Sequence, residues 1–366
     1  MSPRRYLPIL ILAGIVIAVQ VAASLLGVQY YLTQLTMSAY YALVVVGLCL
    51  LMGYAGQISI GHAGFFAIGG YTSATLTTLN LQPMSGRPFV ELLDGLGVLL
   101  RDTNIYGEKL LYLSPWVAFV LAVVVTACVA TLIGIPVLKL KGHYLAMATL
   151  GFSTIIYRIV LGTHVFGEAD GITGIPAFTL VPGLAVSGSF SARVSNYYIA
   201  WLVVIFGLVA AINLIGSRVG RGLRALHGSE EGALAMGVNT SVYKVRVFVI
   251  SAVFASVAGV FLTHYNGGIG PSEASVMKSV RYVAIVAAGG MANLWGTLVT
   301  GTVLTFLSLR GVFGSYDDAV FGTILISIML FAPRGLLRRE LWHRVRPLLA
   351  ERVAPALRSV LRRRRI

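Results

Sequence analysis

Apolar residues fall into long uninterrupted runs along this chain, without the strict alternation of a half-buried β-strand. Divisions at charged residues, prolines and glycine clusters leave ten of them: 7–27, 34–52, 55–79, 115–136, 143–161, 197–216, 244–264, 279–291, 294–312 and 319–335. Most have the ~17 to 25 residues that a helix needs to cross a hydrocarbon core ~30 Å thick. None shows the ~10-residue alternating segments of an outer-membrane barrel. No Asp, Glu, Lys or Arg occurs from Tyr6 to Gly86. As one helix that stretch would extend ~120 Å, so it must fold back across a membrane more than once. The predicted fold class is an all-α polytopic membrane protein with about ten transmembrane helices. The third and eighth runs are short or interrupted by glycine, and are expected to be broken or re-entrant helices. Membrane depth tolerates such backbone only where protein or a water-filled cavity covers it. The first run follows Arg4 and Arg5 as a signal peptide would, but it exceeds the ~7 to 15-residue apolar core of one and reads as a retained span.

Composition and charge narrow the class further. Of 366 residues 57% are apolar and 11% charged, against about 25% charged in soluble domains, which excludes an ordinary soluble enzyme and a disordered chain. The net charge of +15 invites a nucleic-acid reading, but its distribution argues against one. Eleven arginines between Arg334 and Arg365 face only Glu340 and Glu351, so more than half of the excess lies just after the last run. The chain therefore divides into a transmembrane domain, 1–336, and a basic tail, 337–366. The tail reads as an orientation determinant and lipid anchor, since juxtamembrane Lys and Arg contribute about 1 kcal/mol each at an anionic surface.

With Arg4 and Arg5 cytoplasmic, ten crossings put Lys139, Lys141, the segment 217–246 and the tail on one side. Glu91, Asp94, Asp102, Glu108, Glu168, Asp170, Glu273, Asp317 and Asp318, nine of the 13 acids, then fall on the other. Arg158, Lys278, Arg281 and Arg310 sit near predicted outer ends of runs, where long side chains snorkel. Only His62 then comes close to an intramembrane titratable group, which disfavours a proton relay. Sodium coupling through backbone carbonyls stays open. Cys49 and Cys128 lie in apolar runs and behave as small hydrophobes. His143, His164, His227, His264 and His343 are dispersed and read as loop or interface residues, so no metal site is expected.

Two segments carry candidate chemistry. Between Gly53 and Tyr71 there are six glycines, among them Gly53, Gly56 and Gly61, together with the polar Gln57, Ser59 and His62. Small residues permit close helix approach and broken helices. An unpartnered amide or hydroxyl costs roughly 2 to 7 kcal/mol in an apolar medium, so these polar groups must face the bundle or a pathway. Singly, each reads equally well as an internally bonded packing residue; their clustering favours a pathway. The second segment, 217–243, is the largest hydrophilic stretch on the basic side. Ser229 suits an N-cap, Glu230 and Glu231 suit the positive end of a helix dipole, and Gly237 suits a left-handed stop. A short helix over about 230–236 follows, too short to be stable alone in water. Its apolar Ala233, Leu234 and Met236 imply that the membrane domain or a partner holds it.

At these residues the chain resembles the permease subunits of branched-chain amino-acid ABC importers, in particular the M-type member of the pair. The resemblance rests on ordered blocks: Gly53 to Tyr71, Leu140 to Phe152, Asp170 to Pro176, Gly220 to Lys244, Gly289 to Gly296 and Phe331 to Leu336. It implies a bacterial inner-membrane protein, and the charge asymmetry adds that both termini are cytoplasmic. A second homologous permease, two ATPase subunits and a periplasmic solute-binding protein would be its partners. It also implies that Gly53, Gly56, Gln57, Ser59, Gly61 and His62 belong to the translocation pathway, with Gln57, Ser59 and His62 facing it or supporting the broken helix. Arg221, Arg224, Ser229, Glu230, Glu231, Ala233, Met236 and Gly237 would form the cytoplasmic segment that docks on the ATPase. Gly222, Gly228 and Gly232 depart from the family's helix formers and are expected to loosen the segment by about 0.8 to 1.0 kcal/mol each relative to Ala. The chain has no Gly-x-x-x-x-Gly-Lys-[Ser/Thr] loop, so ATP would be bound by a partner, and no cofactor of its own is expected. A self-contained secondary transporter or channel is the competing class, and a permease for urea, amides or aromatic acids the competing member of the same class. An enzyme is disfavoured, because no acid–base constellation appears.

Overall fold

The computed structural model describes residues 6–331 apart from 85, 96 and 104–108. Arg4, Arg5, Glu108, the block after Phe331 and the basic tail lie outside the described residues.

The helices follow the apolar runs. The chain begins with α1 (Leu7–Leu25) and α2 (Tyr31–Cys49), which continues through a π-helical turn, Leu50–Tyr54, before α3 (His62–Thr78). Next come α4 (Pro88–Gly95) and a hairpin of β1 (Leu99–Thr103) and β2 (Lys109–Leu113), then α5 (Pro115–Val137) and α6 (His143–Gly162). After β3 (Ile172–Thr173) and the β4 (Phe178–Val181) and β5 (Leu184–Val186) hairpin, α7 (Arg193–Gly216) leads into α8 (Arg218–Gly228) and α9 (Glu230–Ala235). The last part comprises α10 (Thr240–Asn266), β6 (Gly268–Ile269), α11 (Val276–Gly289), α12 (Leu294–Leu309) and α13 (Asp317–Phe331). The loops are less featureless than an all-helical reading implies: among the described residues they hold three two-stranded antiparallel ladders, including the pairing of β3 with β6.

Among the described residues six helices, α1, α2 with its π turn, α5, α6, α7 and α10, are long and apolar enough to cross a membrane. The others are shorter, and for α3 and α11 the reason is visible. Ser251, which bonds His62 at the start of α3, lies about 16 Å along α10 from Thr240 at 1.5 Å per residue. Tyr41, which bonds Glu273 and Lys278 just before and within α11, lies about 15 Å along α2 from Tyr31 and about 20 Å from Tyr54. Both helices therefore begin at mid-depth and run in opposite directions, and the backbone N–H of Ala63 donates to Ser279 Oγ at 3.1 Å where they meet. These are the third and eighth runs, the two singled out by length and glycine content.

The core gathers around α2 and α10. The apolar window of α2 is 89% buried and that of α10 67%, whereas that of α1 is 17% buried and lies at the periphery. Tyr40 of α2 stacks on Phe261 of α10, and Phe65 of α3 packs edge-on against Phe248 of α10. The basic residues Lys139, Lys141 and Arg218 to Arg246 share one end of the bundle with α8 and α9, here called the basic end.

Candidate functional site

The break between α2 and α3 is built by glycine and held by single polar contacts. Gly56 adopts φ +69, which favours glycine, and the N–H of Gln57 donates back to the Leu51 carbonyl at 3.2 Å across the π turn. A Cβ on Gly53 would overlap the backbone nitrogen of Ala292 in the turn between α11 and α12. A Cβ on Gly56 would sit 2.7 Å from His227 Nδ1 in α8. Further along, the N–H of Ile60 donates to Thr149 Oγ1 of α6 at 3.0 Å, and Gly61 leaves room for the Thr149 carbonyl. The non-helical stretch thus runs from the basic end to mid-depth along protein neighbours, as membrane depth requires.

The three polar residues of this stretch divide into two roles. Ser59 Oγ lies 3.2 Å from His62 Nδ1, and His62 Nε2 lies 2.6 Å from Ser251 Oγ, all of them buried. His62 is satisfied on both ring nitrogens and pins the start of α3 to α10. Gln57 is also buried, but neither of its amide atoms finds a partner among the described residues. It lines a cavity of about 180 Å³ with Gly56, Lys141, Leu145, His227, Glu230 and Lys244. The first candidate segment, the Leu140 to Phe152 block and the hydrophilic segment therefore converge on one place.

That hydrophilic segment folds as its local signals predict. Ser217 Oγ caps α8, accepting from the Gly220 N–H at 3.3 Å, and Ser229 Oγ caps α9, accepting from the Gly232 N–H at 3.1 Å. Gly237 ends the segment at φ +77. Ala233 is buried, and Glu230 forms an ion pair of 2.5 Å with Lys244, itself buried at the start of α10. Arg221, Arg224 and Glu231 are exposed. Leu234 and Met236 are 53% and 85% exposed, so the apolar side chains of α9 divide between the membrane domain and the outside. Gly222 corrects the expectation drawn from helix propensity: a Cβ there would meet Tyr243 Cε1 at 2.7 Å, so this glycine lets α8 pack against α10.

The snorkelling assignment also needs correction. Lys278 Nζ bonds Glu273 Oε1 and Tyr41 Oη, each at 2.8 Å, at mid-depth of α2. Arg281, one turn along α11, pairs with Asp317 and Asp318 at the start of α13. Hydropathy alone places such charges at the end of a run, and this run's end is internal. Thr149 lies within the Leu140 to Phe152 block, whereas Ser251 and Ser279, which also hold the break, carry no motif, being isolated hydroxyls in apolar helices.

A bundle of apolar helices with two helix starts meeting at mid-depth, and a capped helical segment docked at one end, is the architecture of a multi-pass membrane protein. The chain belongs to the family described as branched-chain amino acid transport system / permease component, whose model matches residues 30–331. It is 29% identical over 323 residues to the high-affinity branched-chain amino acid transport system permease protein LivM of Salmonella typhimurium, covering 82% of this chain and 68% of that protein. It is 26% identical to LivH of the same organism, over 85% of this chain and 96% of LivH. Identity to BraD of Pseudomonas aeruginosa is also 26%, over 85% of this chain and 97% of BraD. No solved structure matches. The family consists of transport permeases rather than enzymes.

Proposed function

We propose that this chain is one of two homologous permease subunits of an ABC importer for branched-chain amino acids in a bacterial inner membrane. Two separate ATPase subunits bind the ATP that drives it, and a periplasmic binding protein delivers and largely selects the solute. In this reading the chain crosses the membrane ten times, with both termini and the basic end cytoplasmic. LivM and LivH, both named as permease proteins of a branched-chain amino acid transport system, support the substrate class and the second permease.

The observation that carries the coupling role is the convergence at the basic end. The exposed Leu234 and Met236 present an apolar face outward, while the other face of α9 is tied to Lys244 of α10 through Glu230. Motion of α9 on a docked ATPase would pass into α10, whose Ser251 holds His62. It would also reach Gly56 through His227 of α8, next to the cavity lined by Gln57. Gln57 is the pathway-facing residue of this arrangement, and Ser59 and His62 are its supports.

The test is substrate-stimulated ATP hydrolysis and uptake by the complete complex in vesicles. Glu230→Lys and Met236→Ala should both separate hydrolysis from uptake. Unchanged coupling in both variants would overturn the assignment, and uptake by this chain alone without ATP would favour a self-contained transporter.

A further inference from the structure

At the basic end, between α5, α7, α8 and α10, lies a cavity of about 700 Å³, within the size range of ligand sites, about 300 to 1,000 Å³. Its walls are almost wholly apolar, with Ile135 and Leu138 from α5 and its C-terminal end, Leu214 from α7, and Val245 and Val249 from α10. Among the described residues two cations stand in its lining, Lys139 just beyond α5 and Arg246 in α10, and no acid does. Both are exposed, and neither forms an ion pair among the described residues. Glu230, in the neighbouring α9, is engaged by Lys244.

We propose that this groove is a site for one anionic phospholipid, its phosphate held between Lys139 and Arg246 and an acyl chain lying along Ile135 and Val249. Three features point to this occupant. The groove opens on helices long and apolar enough to cross a membrane. From Lys139 to Thr131, which also lines it, it extends about 12 Å along α5, close to the depth of one leaflet of a ~30 Å core. Two cations in the lining of an otherwise apolar slot match a lipid phosphate at the head of its chains, and basic pockets between transmembrane helices bind acidic headgroups. An apolar partner helix would fill the walls but offer neither cation a counter-charge. Since Val219 of α8 and Val242 of α10 also line the groove, a lipid there would brace the segment carrying α9 against α5. The site goes beyond the transport reading, and its binding test does not depend on it.

The experiment is native mass spectrometry of the full chain, extracted with retained lipid or titrated with phosphatidylglycerol, against the Lys139→Gln/Arg246→Gln double variant. The basic tail is present in both and cancels in the comparison. Two cations each worth about fivefold in affinity predict a loss of about 25-fold in the variant. One tightly held phosphatidylglycerol per chain should disappear, with phosphatidylcholine binding unchanged. Equal retention of phosphatidylglycerol by the variant would overturn the proposal. So would equal binding of phosphatidylcholine by the wild type, or a polypeptide found covering this face in the purified complex. If the double variant does not fold, photoreactive phosphatidylglycerol on the wild-type chain decides the matter. Crosslinks within 131–139 or 242–250 support the site, and crosslinks confined elsewhere refute it.

Discussion

The contact between Gly56 and His227 joins the α2–α3 break to the segment at the basic end, and its energetics separate into two parts. Gly56→Ala forces an L-residue to φ +69, a left-handed conformation costing about 1 to 2 kcal/mol. The new Cβ also meets His227 Nδ1 at 2.7 Å. His227 is exposed, so its ring gives way, at the cost of an off-rotamer side chain, about 0.5 to 1.5 kcal/mol. The single variant should therefore lose about 1.5 to 3.5 kcal/mol. His227→Ala removes only the second contribution, so the double variant should lose about 1 to 2 kcal/mol relative to His227→Ala alone.

The assay is a double-mutant cycle on unfolding of the purified protein, accompanied by substrate-stimulated ATPase activity of the complex. The expected result is non-additivity: the penalty of Gly56→Ala shrinks by about 0.5 to 1.5 kcal/mol when residue 227 is Ala, because contacting residues couple and distant ones add. ATPase stimulation in Gly56→Ala should fall, and should partly return in the double variant. Strict additivity, or a neutral Gly56→Ala, would refute both the contact and the route from α8 to the break.

Three further outcomes follow from the site. Gln57→Met removes a buried amide with no partner among the described residues, so it should stabilise this conformation by about 1 to 3 kcal/mol while lowering uptake; a raised unfolding midpoint with undiminished uptake would deny Gln57 a pathway role. Ser229→Ala removes the cap of α9, costing about 1 kcal/mol, and should speed proteolysis within 229–237 and weaken coupling, whereas unaltered cleavage would count against the cap. Lys278→Met strands Glu273 at mid-depth; removing one partner of a fully buried pair costs about 3 to 5 kcal/mol, and the residual exposure of 23% and 18% for these side chains lowers the expectation to about 2 kcal/mol. Adding Glu273→Gln should recover most of that loss in unfolding measurements, and a double variant less stable than the single one would show that the pair is not internal.

The features legible in the sequence were those whose causes are local. Ser229, Glu230 and Gly237 announce a short helix because capping and a left-handed stop act within a few residues, and the structure has them there. The break after Tyr54 was legible for the same reason, since clustered glycine weakens the helix in which it lies. That Gly56 meets His227 was not, because their meeting depends on how α2 and α8 are stacked. Gly222 shows how a local rule fails when packing decides: helix propensity assigns it a cost, and the ring of Tyr243 supplies its use.

Depth is the harder quantity, yet one signal for it lay in plain view. The eighth run, 279–291, extends only about 20 Å as helix, too little to cross a ~30 Å core. Gly267, Gly268, Gly270 and Pro271 lie before it, and they are poor continuations for the helix that precedes it. A run too short to cross, entered through such a segment, must begin inside the bundle, so a charge at its first turn is an internal charge that needs a partner. By that reasoning Lys278 calls for a nearby carboxylate, and Glu273, five residues earlier, provides it at 2.8 Å. Arg310, at the end of α12, is a different case: its guanidinium lies over the Tyr31 ring at 4.2 Å, beside the start of α2. Snorkelling therefore remains a sound reading for a charge at the end of a run, provided the run can reach the membrane surface.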